Sequence, residues 1–250
     1  MKVRIKITAI VLSLVFIAIK SNAQFYKDMS VGLNGGMYVY QGDLAPSRFG
    51  SFKTITPGFS FFATKPINSF LAARIQCSFA RLKGDESLYN NPGYRQQRNF
   101  AFTTPLKEFS AQVIWNILGK NYESSGLSPY IFSGGGVSFI NVKKDYSRLD
   151  PAFFGDGSAV AAGLVTDNAH GTPRSMLSVS VGIGAEYSIS DRLAVNIETA
   201  YRFIFTDYLD GYSKSASPKY HDHYHSTSAG IIYKFGKKEK GGVGCPVARF

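Results

Sequence analysis

Charged side chains within otherwise apolar segments are the first candidates for chemistry in this chain. A carboxylate beside a guanidinium can act as an acid–base pair, or it can form a buried ion pair that only holds a structure together. If these segments are the strands of a narrow β-barrel, its interior is filled by side chains and leaves no path for a substrate. We therefore favour a structural network. The candidates for this interior network are Arg74, Glu108, Glu186, Glu198 and Arg202.

A second candidate is a run of alternating histidines, His221-Asp222-His223-Tyr224-His225. On an extended chain the histidines share one side, as a metal site requires, but no further ligand lies in evident register. A solvated loop that runs into a strand is the favoured interpretation. The chain also carries neither a phosphate-binding loop nor a Gly-x-Ser-x-Gly nucleophile motif. We therefore expect no metal, no cofactor and no catalytic residue, with a membrane-embedded lipid-modifying enzyme as the least favoured alternative.

The pattern that must position these side chains is strict two-residue alternation. In residues 177–189 every odd position is apolar and every even position is small or polar. Such alternation gives a strand one apolar face and one polar face. No helical period is evident after the N-terminal segment. The recurring pattern predicts strands near residues 29–39, 54–65, 69–82, 100–118, 128–142, 175–189, 192–206 and 224–235.

Two kinds of fold share this alternation. A soluble sandwich or lipocalin-type barrel buries its apolar faces, whereas an outer-membrane barrel turns them toward lipid. Connections that alternate between tight turns and long polar loops favour the membrane barrel. We predict an all-β fold: a transmembrane, antiparallel, up-and-down β-barrel of about eight strands, with both termini in the periplasm. Aromatic residues near the strand ends would then face the two membrane interfaces, although aromatics also favour strands in general; they include Tyr38, Tyr40, Trp115, Tyr130, Tyr187 and Phe205.

The two ends of the chain differ from its middle. A basic start and an apolar run from Ile7 to Ile19 are typical of a secretory signal peptide, which we place at residues 1–23. The run is shorter than the roughly 20 residues that a spanning helix needs. The barrel is predicted over residues 24–236. A flexible, basic, periplasmic tail is predicted over residues 237–250.

Charge and cysteine content limit the partners. The formal net charge is +11, and part of it is concentrated near the C-terminus. In an exported protein this charge favours an anionic lipid surface or an acidic partner over nucleic acid, for which no motif is present. The two cysteines, Cys77 and Cys245, lie in a strand and in the tail. A bond between them is possible but poorly placed, so they are not a disulfide framework. Cys245 is a candidate partner contact.

Four strings carry a resemblance to a known family. The strings are Tyr40-Gln41-Gly42-Asp43-Leu44-Ala45, Ser128-Pro129-Tyr130, Tyr201-Arg202-Phe203-Ile204-Phe205-Thr206-Asp207-Tyr208-Leu209-Asp210, and the terminal Cys245-Pro246 with the final Arg249-Phe250. With the barrel pattern, they make the chain similar to the PorG-type outer-membrane barrels of the type IX secretion system in Bacteroidota. At the strand-to-loop corners we expect loop bracing rather than ligand binding; the residues concerned are Gln41, Asp43, Asp207, Tyr208 and Asp210.

The resemblance implies a scaffold rather than an enzyme. Barrels of this type anchor the periplasmic ring of the secretion machine, formed by a PorK-type lipoprotein and its PorN-type partner, to the outer membrane. The expected partners are therefore outer-membrane lipids and these ring proteins. The alternative is a passive structural or adhesive barrel without a role in secretion.

Overall fold

Eight long antiparallel strands close into a barrel, because the third strand (Leu71–Asp85) pairs with both the second (Thr56–Pro66) and the fourth (Ala101–Asn116) and thereby joins the two ends of the sheet. The computed structural model describes residues 28–47, 49–123, 125–155, 157–216 and 221–235. The predicted signal peptide, the basic tail and Cys245 lie outside these residues. Within them, no helix is long and apolar enough to cross a membrane.

The strands follow one another around the barrel, apart from one short addition. Strand β6 (Lys143–Asp145) pairs with the first residues of β4 beyond the end of β5. The eight long strands are β1 (Ser30–Gln41), β2 (Thr56–Pro66), β3 (Leu71–Asp85), β4 (Ala101–Asn116), β5 (Gly126–Ile140), β7 (Ser175–Ser188), β8 (Leu193–Ile204) and β9 (His223–Lys234). The prediction of an up-and-down barrel of about eight strands is confirmed.

The alternation in the sequence decides which side chains face the barrel interior and which face outward. In all eight long strands the even-numbered side chains point inward and the odd-numbered ones outward. Exposed outward residues on β7 and β8 include Leu177, Ile183 and Ile197, whereas Glu198 and Arg202 are buried inside. An apolar exterior around a charged interior has the polarity of a membrane barrel and not that of a soluble one.

The two ends of the barrel differ in their connections. We call the end with the connections at 67–70, 117–125 and 189–192 the short-turn end. The opposite end carries the long connections, and we call it the long-loop end. Residues 42–55, 86–100, 141–174 and 205–222 form these long connections.

The long loops also contain short helices that no helical period in the sequence predicts. The long loops contain α1 (Tyr94–Arg98), α2 (Pro151–Phe154) and α3 (Ala159–His170), besides two short 3₁₀ helices. Ser158 caps the N-terminus of α3, because its hydroxyl accepts a hydrogen bond from the Ala161 N–H. The sequence of α3 is rich in alanine and lacks an apolar stripe, so no helical periodicity reveals it in the sequence. Packing against the other loops stabilises the helix instead.

The long loops pack together over the barrel mouth, and we call this packed region the loop cap. Its core consists of fully buried side chains from loops and from strand ends: Tyr40, Leu44, Leu82, Phe100, Phe102, Leu209, Tyr212 and Tyr224. The rings of Phe100 and Tyr212 stack with centroids 4.4 Å apart. The cap thus has an apolar core of its own, which closes the long-loop end of the barrel.

The expected position of the aromatic residues is correct only in part. Trp115, Tyr187 and Phe205 are exposed on the outer wall. Tyr38, Tyr40 and Tyr130 instead point inward and are buried. Their even numbers place them on the interior face, where the hydroxyl group of tyrosine finds polar partners.

Candidate functional site

The first ion pair of the interior spans the lumen between β3 and β8. Arg74 Nη1 lies 2.9 Å from Glu198 Oε2, and both side chains are buried. Tyr130 donates to the same carboxylate at 2.9 Å and Asn34 at 3.2 Å. The Arg74 guanidinium also lies over the Phe62 ring at 4.4 Å, which explains why an aromatic residue interrupts the polar face of β2.

A second ion pair joins β8 and β4 nearer the long-loop end. Arg202 Nε donates to Glu108 Oε1 at 2.9 Å, and Arg202 Nη1 donates to Ser226 at 2.8 Å. The other Glu108 oxygen accepts from Tyr224 at 2.6 Å. Ser178 also donates to that oxygen, at 3.3 Å. Every charge is thus compensated by a partner and by hydrogen bonds, as a buried pair requires.

The fifth predicted interior charge lies apart from these four. Glu186 Oε1 lies 2.6 Å from Lys234 Nζ at the short-turn end, where the two side chains are 23% and 20% exposed. Lys234 also donates to Ser188 at 2.7 Å. The structure therefore places Arg74, Glu108, Glu198 and Arg202 in the dry interior, and Glu186 at its solvent-exposed rim.

The interior is filled by these side chains and by aromatic rings. Glycines on neighbouring strands make room for the rings: a Cβ atom at Gly184 would lie 2.5 Å from the Tyr130 ring, and one at Gly182 would overlap Phe132. A cavity beside Arg74 and Glu186 measures about 40 Å³, room for little more than a water molecule. The chemistry of the interior is therefore charge compensation in a sealed space.

A buried carboxyl pair ties the loop cap to the barrel. The Tyr40 hydroxyl on β1 lies 2.6 Å from Asp210 Oδ2 and 2.6 Å from Asp222 Oδ1. Asp222 also accepts from the backbone N–H groups of Leu209 and Asp210. Asp210 accepts from the Tyr212 N–H at 2.7 Å. Both carboxyl groups are fully buried, and burial raises the pKa of each well above its ordinary value.

The carboxyl groups of Asp210 and Asp222 must differ in protonation state. The Tyr40 hydroxyl has one proton and can donate it to only one of the two oxygens that lie 2.6 Å away. The other carboxyl group must itself carry a proton and donate it to the Tyr40 oxygen. Asp222 accepts two backbone N–H groups and Asp210 only one, so Asp222 is the better carboxylate and Asp210 the protonated partner. Asp43 and Asp207 raise the pKa of Asp210 further.

This assignment predicts opposite effects for two matched substitutions. Because the folded-state pKa of Asp210 is raised, its contribution to stability is full below the unfolded pKa of about 4 and is lost as the pH rises through the folded pKa. Asp210→Asn imitates the protonated form, so its melting temperature relative to the parent protein should rise from about pH 5 to pH 9. Asp222→Asn should lower the melting temperature across that range. A loss for Asp210→Asn that does not vary with pH would contradict the assignment.

A second buried carboxylate, Asp167 of α3, organises residues 213–215. It accepts hydrogen bonds from the backbone N–H groups of Ser213, Lys214 and Ser215 at 3.2, 2.9 and 3.0 Å, and from the Ser215 hydroxyl at 2.6 Å. The Tyr208 hydroxyl donates to it at 3.5 Å, and the Tyr208 ring stacks on His170 of the same helix. Tyr208 thus braces the loop against α3.

A third buried carboxylate joins the second long loop to the first. Glu86 receives two hydrogen bonds from Arg98, at 2.6 and 2.9 Å, and lies 3.4 Å from Arg95. Arg95 in turn donates to the carbonyl oxygens of Asp43, Leu44 and Ala45. This bidentate contact and the three carbonyl contacts hold the two loops in one arrangement.

Two of the family strings, the one from Tyr40 to Ala45 and the one that ends at Asp210, meet in the loop cap. Gln41 is buried at the end of β1, and a Cβ atom at Gly42 would overlap both Asp222 Oδ1 and the Tyr40 hydroxyl. Asp210 joins the other string to Tyr40, and Asp207 lies half-buried nearby. These contacts are consistent with loop bracing. Cys77 is a free thiol on the outer wall.

Several residues of the site were missed at the level of sequence. The alternation rule could have identified Tyr40, Tyr130 and Tyr224 as interior residues, because all three are even-numbered in strands whose even positions face inward. No pattern identifies Asp167 or Glu86, which lie in irregular loops. His223 and His225 extend along the outer face of β9, with the His223 ring 5.6 Å from that of Tyr201. Within the described residues, no three or more histidine, cysteine, aspartate or glutamate side chains are grouped to hold a metal ion.

No curated protein matches the sequence. Several solved outer-membrane proteins are similar in structure. Neisserial surface protein A has a TM-score of 0.46 and 16% identity, over 84% of this chain and 98% of that one. OprG from Pseudomonas aeruginosa has a TM-score of 0.46 and 11% identity, over 85% of this chain and 98% of that one. A major outer membrane protein from Thermus thermophilus has a TM-score of 0.46 and 10% identity, over 83% of this chain and 99% of that one.

The fold, the interior charges and the loop cap belong to one continuous stretch of chain, and one family model covers it. The model described as a domain of unknown function, DUF6089, matches residues 6–239, and the chain therefore belongs to this family.

Proposed function

We propose that this protein is an outer-membrane anchor of the type IX secretion machinery, which ties the periplasmic ring complex to the membrane. The sequence resemblance to PorG-type barrels suggests the machinery. The long-loop end would face outside the cell, and the short-turn end and both termini would face the periplasm. Its role is mechanical and not enzymatic: the outer wall holds the barrel in lipid, and the short-turn end holds the partner.

Insertion into the outer membrane is supported by the polarity of the wall. The outward side chains of the strands form an apolar band that includes Leu33, Phe61, Ile75, Val113 and Ile231. In water, so large an exposed apolar surface would cause aggregation. In a bilayer the same surface is solvated by hydrocarbon, and barrel closure satisfies every strand edge.

The observation that carries the anchoring proposal is an ordered apolar surface at the short-turn end. We call it the turn patch; Ile67, Phe70, Leu118 and Tyr122 are 62%, 51%, 52% and 43% exposed. Asn121 joins the two turns, since its backbone N–H donates to Ser69 and its side chain to Asn68. A rigid, exposed apolar surface of this kind is typical of a protein contact.

The Phe70 ring is held in the turn patch by a neighbouring glycine. Gly119 has a φ of +69°, and a Cβ atom there would lie 2.8 Å from the Phe70 ring. A side chain at position 119 would therefore be strained and would displace the ring. The turn patch is thus pre-organised for contact, which lowers the entropy cost of binding.

We expect the variant Ile67→Ser, Leu118→Ser, Tyr122→Ser to lose partner capture. Truncating three exposed apolar side chains at an interface centre should reduce the recovery of PorK-type and PorN-type ring proteins about tenfold or more. The measurement is affinity purification of the tagged barrel in mild detergent, with quantification of these two proteins. The control is Phe49→Ser, Phe52→Ser, which truncates side chains 84% and 91% exposed at the long-loop end. Equal recovery from both variants would contradict docking at the turn patch.

The alternative function is a passive structural or adhesive barrel. The exposed Phe49 and Phe52 favour it, because they present apolar surface on the side that would face outward. Deletion of the gene separates the two functions. Loss of surface export of cargo bearing the type IX signal, with an intact envelope, supports the anchor; normal export supports the alternative. Lipid analysis of the same deletion strain tests whether the protein is a lipid-modifying enzyme. Unchanged lipids in that strain would exclude this activity.

A further inference from the structure

Cationic side chains on the outer wall are concentrated in one sector of the long-loop end. In the long strands of the described chain, the outward charged residues toward that end are Arg81, Lys83 and Asp85 on β3 and Lys107 on β4, apart from histidines. Lys143 of β6 and Arg148 extend the same sector. The adjoining outward residues of β1, β7 and β8 are uncharged.

The strand register arranges these residues in rows across the wall. Phe79, Lys107 and Phe139 are direct partners in one row. Arg81 and Pro105 form the next row toward the long-loop end, and Lys83, Thr103 and Lys143 form the one after it. Rows are about 6.6 Å apart along the strands. The wall thus changes from aromatic to cationic within two rows, as the boundary between hydrocarbon and headgroups requires.

The cationic rows enclose a groove with a floor of small residues. Lys83 and Lys143 flank Thr103 on strands that lie roughly 10 Å apart, counting two inter-strand spacings. The groove has a volume of about 430 Å³ and is lined by cations, by two acidic residues and by Ala101, Phe102, Thr103 and Pro105. We call it the basic groove.

The charges of the basic groove are mostly uncompensated. Asp85 is engaged with Arg148 at 3.4 Å and with Ser87, and Asp145 is engaged with Ser147. Lys144 points into the loop cap, where it donates to Asn168 at 2.8 Å. Among the described residues, none forms an ion pair or a side-chain hydrogen bond with Arg81, Lys83, Lys107 or Lys143. Four cations of this sector therefore face outward without a partner among the described residues, and three of them, Arg81, Lys83 and Lys143, line the basic groove.

We propose that the basic groove binds the phosphate-bearing headgroup of a lipid in the leaflet at the long-loop end. The phosphate would lie between Lys83, Lys143 and Arg81, and the acyl chains would lie on the aromatic row of Phe79 and Phe139 below it. Lysine and arginine are the side chains that bind phosphate. A lipid is favoured over a soluble anion because the apolar and cationic rows are continuous. This inference rests on the membrane insertion proposed above, but not on the secretion role.

The test compares lipids that differ only in phosphate. The full chain is purified in detergent, and binding of bisphosphorylated lipid A and of phosphate-free lipid A is measured by native mass spectrometry. We expect about tenfold tighter binding of the phosphorylated form, and we expect Arg81→Gln, Lys83→Gln, Lys143→Gln to abolish that preference. The control, Arg174→Gln, Arg192→Gln, Lys214→Gln, removes three exposed cations elsewhere and should keep it. Both variants must retain the heat-dependent gel shift of a folded barrel.

The outcomes separate the possible sources of the phosphate. Persistence of the preference in the groove variant, or its equal loss in the control, would overturn the site. Displacement of bound lipid by inorganic phosphate at about 1 mM would overturn the lipid assignment in favour of a soluble anion. A protein that captures its ring partners normally but ignores lipid phosphate would overturn only this inference. A protein that binds the phosphorylated lipid but captures no partner would overturn only the secretion role.

Discussion

Glu198→Ala should lower the free energy of unfolding by about 3–5 kcal/mol, because it leaves the Arg74 guanidinium buried without a counter-charge. Arg74 is 3% exposed and lies 2.9 Å from the carboxylate that the substitution removes. The same substitution removes the acceptor of the Tyr130 and Asn34 hydrogen bonds. The effect is measured by urea titration in detergent, with the heat-dependent gel shift as the readout of the folded barrel.

Two matched variants separate the buried charge from other effects. Glu186→Ala breaks an ion pair whose side chains are 23% and 20% exposed, and solvent screening limits its cost to about 0–1 kcal/mol. Adding Arg74→Met to Glu198→Ala should recover part of the loss, because no uncompensated charge then remains. A neutral Glu198→Ala would contradict the inward placement of this residue. If the double variant is no more stable than Glu198→Ala, the unpaired charge of Arg74 is not the cause of the lost stability.

Asp167→Ala should open the loop cap while leaving the barrel folded. The substitution removes the acceptor for three backbone N–H groups and for the Ser215 hydroxyl, all at 3.2 Å or less. Hydrogen bonds to a charged group contribute about 1.5–3 kcal/mol each in mutational series, so local opening should become at least about a hundredfold more frequent. Hydrogen exchange of residues 213–215 measures the opening, and limited proteolysis of the long loops provides a second readout.

Asp150→Ala is the control for the loop cap. Asp150 caps the short helix α2 through the Ala152 and Phe153 N–H groups and is exposed. Loss of such a cap costs about 1 kcal/mol and affects α2 alone. Unchanged exchange at residues 213–215 in Asp167→Ala would show that the carboxylate does not hold this segment. Loss of the whole barrel in that variant would show that the cap and the wall unfold together.

The wall of the barrel was predictable because its rule is local. Alternation in the sequence gives the strand positions to within a few residues, and one numbering parity then assigns the interior side of every strand. This parity places Arg74, Glu108, Glu198 and Arg202 together without any long-range information. The identity of the pairs was not predictable, because it depends on how far one strand is shifted relative to another.

The loop cap was not predictable, because its interactions are long-range and irregular. Tyr40 meets Asp210 and Asp222 at sequence separations of 170 and 182 residues. No period in the sequence links such positions. Residue type alone predicts Tyr38, Tyr40 and Tyr130 at the membrane interfaces, whereas their even numbers place them inside. For these three tyrosines, the position in the alternating pattern predicts the correct face of the wall, and the residue type does not.

The ion pairs that cross the lumen have a consequence for biogenesis. Arg74 and Glu198 belong to strands that are not neighbours in the sheet, and so do Glu108 and Arg202. Each pair forms only when distant parts of the chain have curved toward one another. A hairpin entering the bilayer by itself would carry a bare charge into hydrocarbon at a cost of several kcal/mol. Stepwise entry of single hairpins is therefore disfavoured, and the sheet must curl and neutralise its own charges before or during its passage into the membrane.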